Sequence, residues 1–430
     1  MFAIFVSSGS IKNDLNNLGE DMRFNQWMTC ITSGLILASN SSFATTSPVH
    51  EQLQVPQCLA AKITVPHKIL AENKEFKIID VLSSDVETLT ILADKVSCGH
   101  FVNVSHKLTG TLAANQQQSA QKLLQKKLVK PFGVSKLHKD VYEIKHEEEV
   151  NAALKEIVSD NIWQTLTHMT SYYNRSATKD TGVDTANWLK SKFEQMAVEY
   201  GRTDTSTFFV KTGWYKQPSL VTVIGKDIKA PAIVIGAHMD TLDGRMPGAG
   251  DDGSGSSSIM EAARVILSSK TTFKRPIYFI WYAAEERGLV GSQHVVQHFQ
   301  EQSIPVKAVV QFDMTGYRND ANDPTMWVFT DYTDRDLSNY LAKLIDHYIH
   351  VPVDYSRCGY GCSDHASWNE EDIPAAFPCE TSFADHNPYI HTSSDKMDLL
   401  NLEHMTNFSK LAVAFAIELA SELEHHHHHH

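Results

Sequence analysis

The sequence has little glycine and proline, few cysteines and no excess of positive charge. Its 430 residues include 21 glycines, 14 prolines and 6 cysteines, whereas hydrophobic residues make up 42%. This composition excludes collagen-like and disordered chains and leaves enough apolar residues for a core. The formal net charge of -13 disfavours a nucleic-acid partner, because proteins that neutralise phosphates carry the opposite balance. The length allows one large domain and a smaller one.

Long apolar runs are also missing, since no segment beyond residue 44 approaches about 18 uninterrupted apolar residues, so we expect no membrane association. The shorter apolar stretch 27–37 precedes a small-x-small pattern that predicts secretory cleavage after Ala44. We interpret residues 1–44 as an untranslated-like extension followed by a signal peptide, with Met22 as the natural start. Residues 423–430 are interpreted as a cloning scar and a histidine tag.

The cysteines agree with export from the cytoplasm. Cys358 and Cys362 flank a glycine-rich segment that can bend into a tight loop closed by a disulfide. Cys58 with Cys98 would staple the N-terminal segment, and Cys379 is left over. The alternative for Cys358 and Cys362 is a zinc site, but further ligands do not follow at the required spacing. We therefore favour two disulfides in an oxidising compartment.

Composition divides the rest of the chain into three parts. Residues 45–114 alternate short apolar and polar pieces, which predicts a small α+β domain. Residues 115–140 contain six lysines and no acidic residue before the last position, and Pro131 and Gly133 break any helix there. This segment is either a solvated helix face or a linker at which a protease releases a propeptide, and the secretory context favours processing. Residues 141–422 form the predicted large domain.

The large domain alternates apolar runs with helical patterns. Buried strands are predicted over 220–224, 233–237, 277–283 and 308–312, and an amphipathic helix over 254–267. This order predicts an α/β fold with a largely parallel sheet covered on both faces by helices. The active site of such a sheet lies beyond the carboxyl ends of its strands.

Histidine or carboxylate side chains follow three of these strands. A glycine-rich loop adds Asp251, and a downstream motif adds His391. Each residue alone is more often structural, but together they are typical of a metal site. The set comprises His238, Asp240, Asp251, Glu285, Glu286, Asp313 and His391. Imidazole and carboxylate ligands favour zinc, and one carboxylate can bridge two ions about 3.5 to 4 Å apart. Neighbouring side chains on extended backbone point apart, so one of the two adjacent glutamates can bind metal while the other acts as general base.

Five motifs together resemble the secreted bacterial leucyl aminopeptidases with a co-catalytic zinc pair, the Vibrio leucyl aminopeptidase type of the di-zinc exopeptidase family. They are His238-x-Asp240, Gly250-Asp251-Asp252-Gly253-Ser254-Gly255, Ala284-Glu285-Glu286-x-Gly288, Asp313-Met314 and Ile390-His391-Thr392. The segment from Cys358 to Trp368 adds a match to the same subgroup. The resemblance covers roughly residues 142–422. It implies a central mixed, mostly parallel sheet of the zinc exopeptidase (phosphorylase/hydrolase-like) fold, preceded by a small α+β propeptide domain.

The resemblance also implies two zinc ions and a role for each residue of the site. One zinc would be held by Asp251, Glu286 and His391, and the other by Asp251, His238 and Asp313. Glu285 would be the general base for water activated by the metal. Asp240 would hold the ring of His238, and Tyr360 would hydrogen-bond the tetrahedral intermediate. A cis peptide bond is implied between Asp251 and Asp252.

The same resemblance implies an almost entirely apolar pocket for the first side chain of the substrate. Its predicted lining comprises Met314, Phe329, Cys358, Tyr360, Cys362, Phe377, Cys379, Phe383 and Ile390, with His386 near the mouth. Such a pocket favours leucine, methionine and phenylalanine, because a lysine ammonium would find no partner there. The substrates would be the N-termini of peptides or proteins.

Two other enzyme classes stay open on this fold. A di-zinc carboxypeptidase or deacylase needs an arginine clamp, and the 26 residues between Glu286 and Asp313 leave no room for the inserted domain that is common there. A single-zinc aminoacyl cyclase would differ in metal count. We expect a monomer exported through the periplasm of a Gram-negative bacterium and processed within 122–139. The N-terminal domain could assist folding, inhibit the enzyme by covering its site or bind a partner.

Overall fold

The computed structural model describes residues 49–108, 113–127 and 141–421. The predicted signal peptide, the basic stretch 128–140 and the histidine tag lie outside these described residues. The described residues all belong to one compact unit, in which we distinguish an N-terminal domain (49–108 and 113–127) and a C-terminal domain (141–421).

The N-terminal domain is a four-stranded antiparallel sheet with helices packed on it. The strands pair in the order β2-β3-β1-β4. Their bounds are β1 (His50–Pro56), β2 (His67–Glu72), β3 (Phe76–Leu82) and β4 (Val102–Asn103). The helices are α1 (Gln57–Ala60), α2 (Val86–Val96), α3 (Ser105–Leu108) and α4 (Ala113–Lys127). Apolar residues of β1, β3 and α2 share one buried cluster, which makes this the predicted α+β unit.

Helix α4 begins two residues before the segment 115–140, which the sequence analysis assigns to the basic linker, and extends into it to Lys127. Its Ala120 and Leu124 are fully buried and join a cluster with β2 and β3, although most of its other described residues face solvent. The lysines of this stretch are thus compatible with a packed helix, because one narrow apolar stripe is enough to attach it. The N-terminal domain therefore extends to residue 127.

The C-terminal domain is built on a six-stranded mixed sheet of order β12-β9-β7-β8-β6-β5. The four strands β12, β9, β7 and β8 are parallel to one another, whereas β6 pairs antiparallel with β8, and β5 pairs antiparallel with β6. The strands are β5 (Thr205–Thr212), β6 (Tyr215–Ile224), β7 (Ala232–His238), β8 (Ile277–Tyr282), β9 (Val306–Gln311) and β12 (Ala375–Ala376). Strands β7 and β8 are buried at every residue, as expected for central strands covered on both faces. The predicted mixed α/β architecture is confirmed.

A second, three-stranded sheet of order β11-β10-β13 is formed by strands that follow β9 in sequence. Its strands are β10 (Met326–Phe329), β11 (Val353–Ser356) and β13 (Pro378–Cys379). The described helices of this domain are α5 (Glu147–Leu154), α6 (Ser159–Ser171), α7 (Asp180–Glu199), α8 (Gly255–Ser268), α9 (Val290–Glu301), α10 (Arg335–Leu344), α11 (His365–Glu370) and α12 (Leu402–Ala420). Helix α12 is buried on almost all sides. Nevertheless, no helix among the described residues has the length and apolar character that a membrane span requires.

Both expected disulfides are present. Cys58 pairs with Cys98 in the N-terminal domain, and Cys358 pairs with Cys362 in the C-terminal domain. Cys379 is a free, buried thiol.

The attachment of α4 gives a prediction for stability. Leu124→Ala removes a fully buried side chain and should lower the free energy of unfolding of the N-terminal domain by about 2 to 5 kcal/mol. Leu123→Ala is the matched control, because this neighbour is only half-buried and should cost less. Denaturant unfolding followed by circular dichroism measures both. Equal, negligible losses in the two variants would mean that the helix is an unattached linker.

Candidate metal centre

The carboxyl ends of the parallel strands bring the predicted ligands to one edge of the main sheet. His238 is the last residue of β7, and Glu285 and Glu286 follow β8 in a short helical turn. Asp313 comes two residues after the end of β9. Since these strands are neighbours, side chains that are far apart in sequence meet here.

Asp251 stands between the two histidines. Its Oδ1 is 2.9 Å from Nε2 of His238, and its Oδ2 is 2.8 Å from Nε2 of His391. Nε2 of His391 also lies 2.8 Å from Oε2 of Glu286, whereas Nε2 of His238 lies 3.5 Å from Oδ1 of Asp313. The five residues thus form two triads that share Asp251: one with His238 and Asp313, and one with Glu286 and His391.

Asp240 orients one half of this arrangement. Its Oδ1 is 3.1 Å from Nδ1 of His238, so Nε2 of the same ring is directed at Asp251. The Asp240 carboxylate also accepts the backbone N–H groups of Glu285 and Glu286, at 3.0 and 3.2 Å. One fully buried side chain therefore fixes a histidine ring and the turn that carries both glutamates.

Asp395 fixes the backbone of the glycine-rich loop in a similar way. Its two oxygens accept the backbone N–H groups of Gly250 and Asp251 at 2.8 and 3.0 Å. The peptide bond between Asp251 and Asp252 is cis, as the resemblance implies.

Two more polar side chains, Asp252 and Ser363, form hydrogen bonds with the ligands or with the backbone close to them. Asp252 accepts the backbone N–H groups of Gly255 and Met314 at 2.9 Å each. Ser363 donates its hydroxyl to Oδ2 of Asp313 at 2.5 Å, which leaves Oδ1 of Asp313 buried without a hydrogen-bond partner. A buried carboxylate oxygen without a partner, next to an imidazole nitrogen, is a suitable ligand for a cation.

The pKa changes in this centre reflect an excess of negative charge. Burial raises the pKa of Glu285 well above its usual value, and the charge of Glu286 adds to the rise. Burial, together with the charge of Asp251, raises the pKa of Glu286 to about 7. Asp251 differs: although burial opposes its ionisation, hydrogen bonds from His238 and His391 hold its pKa well below the usual value. The carboxylates of the centre outnumber the two imidazoles, His238 and His391, that could neutralise them.

The donors fit zinc. Each triad consists of one imidazole nitrogen and two carboxylate oxygens, and its ligand atoms all lie within 4.8 Å of one another. Mixed nitrogen and oxygen ligands suit zinc, whereas magnesium and calcium favour oxygen alone.

One cavity of about 250 Å³ opens onto this centre. It contains every residue that the sequence analysis assigns to the substrate pocket: Met314, Phe329, Cys358, Tyr360, Cys362, Phe377, Cys379, Phe383, His386 and Ile390. Glu285, Glu286 and Asp251 reach the same cavity, whereas His238 and Asp240 are fully buried behind it. The loop closed by the Cys358–Cys362 disulfide is held by Asp331, which accepts the N–H groups of Cys358 and Gly359 at 3.1 and 2.7 Å.

The N-terminal domain forms the remaining wall of this cavity, which the sequence analysis did not predict in residue detail. Six of its residues line the cavity: Ala93, Asp94, Ser97, Gly99, His100 and Phe101. Asp94 Oδ2 is 2.7 Å from Nδ1 of His391, across 297 positions of the chain. No local motif marks Asp94, whereas Asp252 belongs to the glycine-rich motif and Asp395 follows the Ile390-His391-Thr392 motif by three residues.

Comparisons with known proteins agree with this geometry. Residues 220–416 match the model of peptidase family M28. Leucine aminopeptidase 1 of Coccidioides posadasii is 35% identical over 294 residues, which are 65% of this chain and 75% of the relative. The chain belongs to peptidase family M28 and is a metallo-aminopeptidase.

Two solved structures show how far the likeness extends. The LapA aminopeptidase of Legionella pneumophila is 96% identical, and the match covers 88% of this chain and 100% of that one, with a TM-score of 0.84. LapB of Legionella pneumophila is 44% identical, with coverage of 87% and 100% and a TM-score of 0.79.

Proposed function

We propose that this metallo-aminopeptidase is secreted, binds two zinc ions and removes leucine and other large apolar residues from peptide N-termini. The observation that carries the proposal is the pair of ligand triads that share Asp251 and open into one apolar cavity. Two triads with one common carboxylate suit a bridged metal pair.

The residues of the centre would have different roles in peptide hydrolysis. Bound zinc would supply Lewis-acid polarisation of the scissile carbonyl and lower the pKa of a water molecule. Glu285 reaches the cavity with its carboxylate, and Oε2 lies 3.5 Å from Nε2 of His238. From there Glu285 would take a proton from the attacking water and pass it to the leaving amine. Tyr360, which lines the same cavity, would donate its hydroxyl to the developing oxyanion.

The cavity wall accounts for the preference for apolar side chains. Phe329, Phe377 and Cys379 form a buried apolar cluster there, against which the Cys358–Cys362 disulfide and Phe383 pack. Burying a leucine side chain in such a pocket contributes about 1.5 to 3 kcal/mol. Among the described residues that line the cavity none is lysine or arginine, so a substrate carboxylate has no cationic anchor there. This favours an aminopeptidase over the carboxypeptidase and deacylase alternatives.

Secretion is supported by the two disulfides, because such bonds persist in oxidising compartments. The proposed route is export through the periplasm of a Gram-negative bacterium, directed by the signal within 1–44.

For the N-terminal domain we favour inhibition among the three roles that the sequence leaves open. Its loop 97–101 faces the metal centre, and a Cβ atom added to Gly99 would lie 3.9 Å from Cβ of Tyr360. A peptide substrate needs the same space in front of Glu285 and His391. The domain would therefore block substrate access as long as it stays docked.

Docking is extensive and involves buried polar groups. Glu51, which is 1% exposed, accepts hydrogen bonds from Tyr215 Oη at 2.7 Å and from Trp214 Nε1 at 3.3 Å. Backbone N–H of Asn103 donates to the carbonyl oxygen of Gly288 at 2.9 Å. A Cβ atom at Gly288 would lie only 2.5 Å from that nitrogen, so the two domains meet without a gap here. Cutting the linker alone is therefore not expected to free the domain at once.

Hydrolysis of leucine p-nitroanilide and of its N-acetylated form tests the main proposal. The processed enzyme should cleave only the free amine, lose activity with a chelator and regain it with zinc. Lysine p-nitroanilide should be cleaved with a kcat/KM roughly 10- to 100-fold lower, because its ammonium finds no partner in the pocket. Cleavage of the acetylated substrate, or one zinc per chain by metal analysis, would contradict the proposal and favour a deacylase or a cyclase.

The role of Glu285 is tested by Glu285→Gln. This variant keeps the shape of the side chain but cannot take a proton, so kcat should fall by about 10²- to 10⁴-fold with the zinc content unchanged. Glu301→Gln, at the exposed end of α9, is the matched control and should keep full activity. A Glu285→Gln enzyme with near-normal kcat would remove this residue from the mechanism.

Inhibition by the N-terminal domain predicts a difference between intact and processed protein. Limited proteolysis within 128–140, followed by separation of the two fragments, should raise kcat/KM for leucine p-nitroanilide above that of the intact chain. Nicked protein in which both fragments stay together should resemble the intact chain, since the domains remain docked. Equal turnover by the intact and separated forms would rule out the inhibitory role.

A further inference from the structure

Both histidines at the centre have a carboxylate on the ring nitrogen that faces away from the ligand cluster. Nδ1 of His238 lies 3.1 Å from Oδ1 of Asp240, and Nδ1 of His391 lies 2.7 Å from Oδ2 of Asp94. In metal sites such a carboxylate fixes the tautomer and orientation of the imidazole and makes it a better ligand. The two halves of the centre are alike in this respect.

The two carboxylates differ in where they come from. Asp240 lies two residues after His238 in the C-terminal domain and is fully buried. Asp94 belongs to the last turn of α2 in the N-terminal domain, on the other side of the basic stretch, and its side chain is 40% exposed. One histidine is thus oriented by its own domain and the other by the domain that covers the cavity.

The segment 386–394 that carries His391 is largely exposed. His391 itself has a left-handed backbone, with φ of 62°. The contact with Asp94 is the shortest of the three that the structure gives its ring, because the distances to Asp251 and Glu286 are both 2.8 Å. Those two are themselves proposed metal ligands, so they reach the nitrogen that the metal would take.

We propose that Asp94 is a positioning residue for the zinc ion held by Asp251, Glu286 and His391, and that the N-terminal domain thereby helps to load this metal. The inference rests on the proposed assignment of those three ligands. While the domain is docked, both imidazoles are oriented by carboxylates. When it leaves, the zinc at His391 loses this support and becomes the weaker of the two.

The test is zinc affinity of the full-length chain, measured by competition with a chromogenic chelator in the absence of any substrate. Asp94→Ala and Asp94→Asn should weaken one of two bound zinc ions by about 10- to 100-fold, the range expected when a carboxylate behind a histidine ligand is lost. Asp94→Glu keeps the charge and should recover part of the affinity. Asp85→Asn, at the start of the same helix, is the matched control and should bind both ions like the unsubstituted chain.

A second comparison separates positioning from general stability. In the full-length chain, Asp240→Asn should weaken the zinc ion at His238, and the double variant Asp94→Asn/Asp240→Asn should weaken both ions. Unfolding temperatures of the metal-free variants check that all of them are folded. Unchanged zinc affinity in folded Asp94→Ala would overturn the inference while leaving the aminopeptidase proposal intact. Failure of the unsubstituted chain to bind zinc would overturn both.

Discussion

The structure depends on gathering several carboxylates in one buried place. Asp251, Glu286 and Asp313 converge with Glu285 at the edge of the sheet, where burial reduces the screening of their mutual repulsion by water. Two imidazoles offset part of this negative charge. Backbone N–H groups also donate to Asp240, Asp252 and Asp395, and the Ser363 hydroxyl donates to Asp313. Burial and then the neighbouring carboxylates still raise the pKa of Glu285 and of Glu286. A bound divalent cation would offset part of this negative charge, so charge balance and metal binding are linked at this site.

The supporting groups come from distant parts of the chain, and this distribution links the fold to the chemistry. Asp240 couples the end of β7 to the turn after β8, because it contacts His238 and the backbone of both glutamates. Asp395 couples the glycine-rich loop to the segment that carries His391. A shift of any one strand end would therefore move ligands on another. The buried, apolar strands β7 and β8 provide the rigidity that such mutual positioning requires.

How much could be predicted from the sequence depended on whether the signal was local. Strands β7 to β9 were predicted from their apolar runs. The metal site was predicted because His238, Glu285 and Asp313 follow these runs, and residues at equivalent strand ends of a parallel sheet must meet. The ten pocket residues were predicted only through family resemblance, since each one alone reads as ordinary core. Most of helix α4 was assigned to a linker because residues 115–140 carry six lysines and no acidic residue before the last position, and the burial of Leu124 depends on a sheet formed by other residues. Asp94 carried no signal, because an acidic residue near the end of an amphipathic helix is typical of a solvent-facing position.

The Cys58–Cys98 disulfide joins α1 to the segment just before His100. The loop 97–101, which faces the metal centre, is therefore covalently attached to α1. It cannot move away from the cavity independently of α1. Separation of the two domains would also break the hydrogen bonds that Glu51, Asn103 and Asp94 make across the interface. In the proposed release of the N-terminal domain, a cut in the backbone would therefore leave these contacts in place, and the lifetime of the covered cavity would depend on how fast they dissociate.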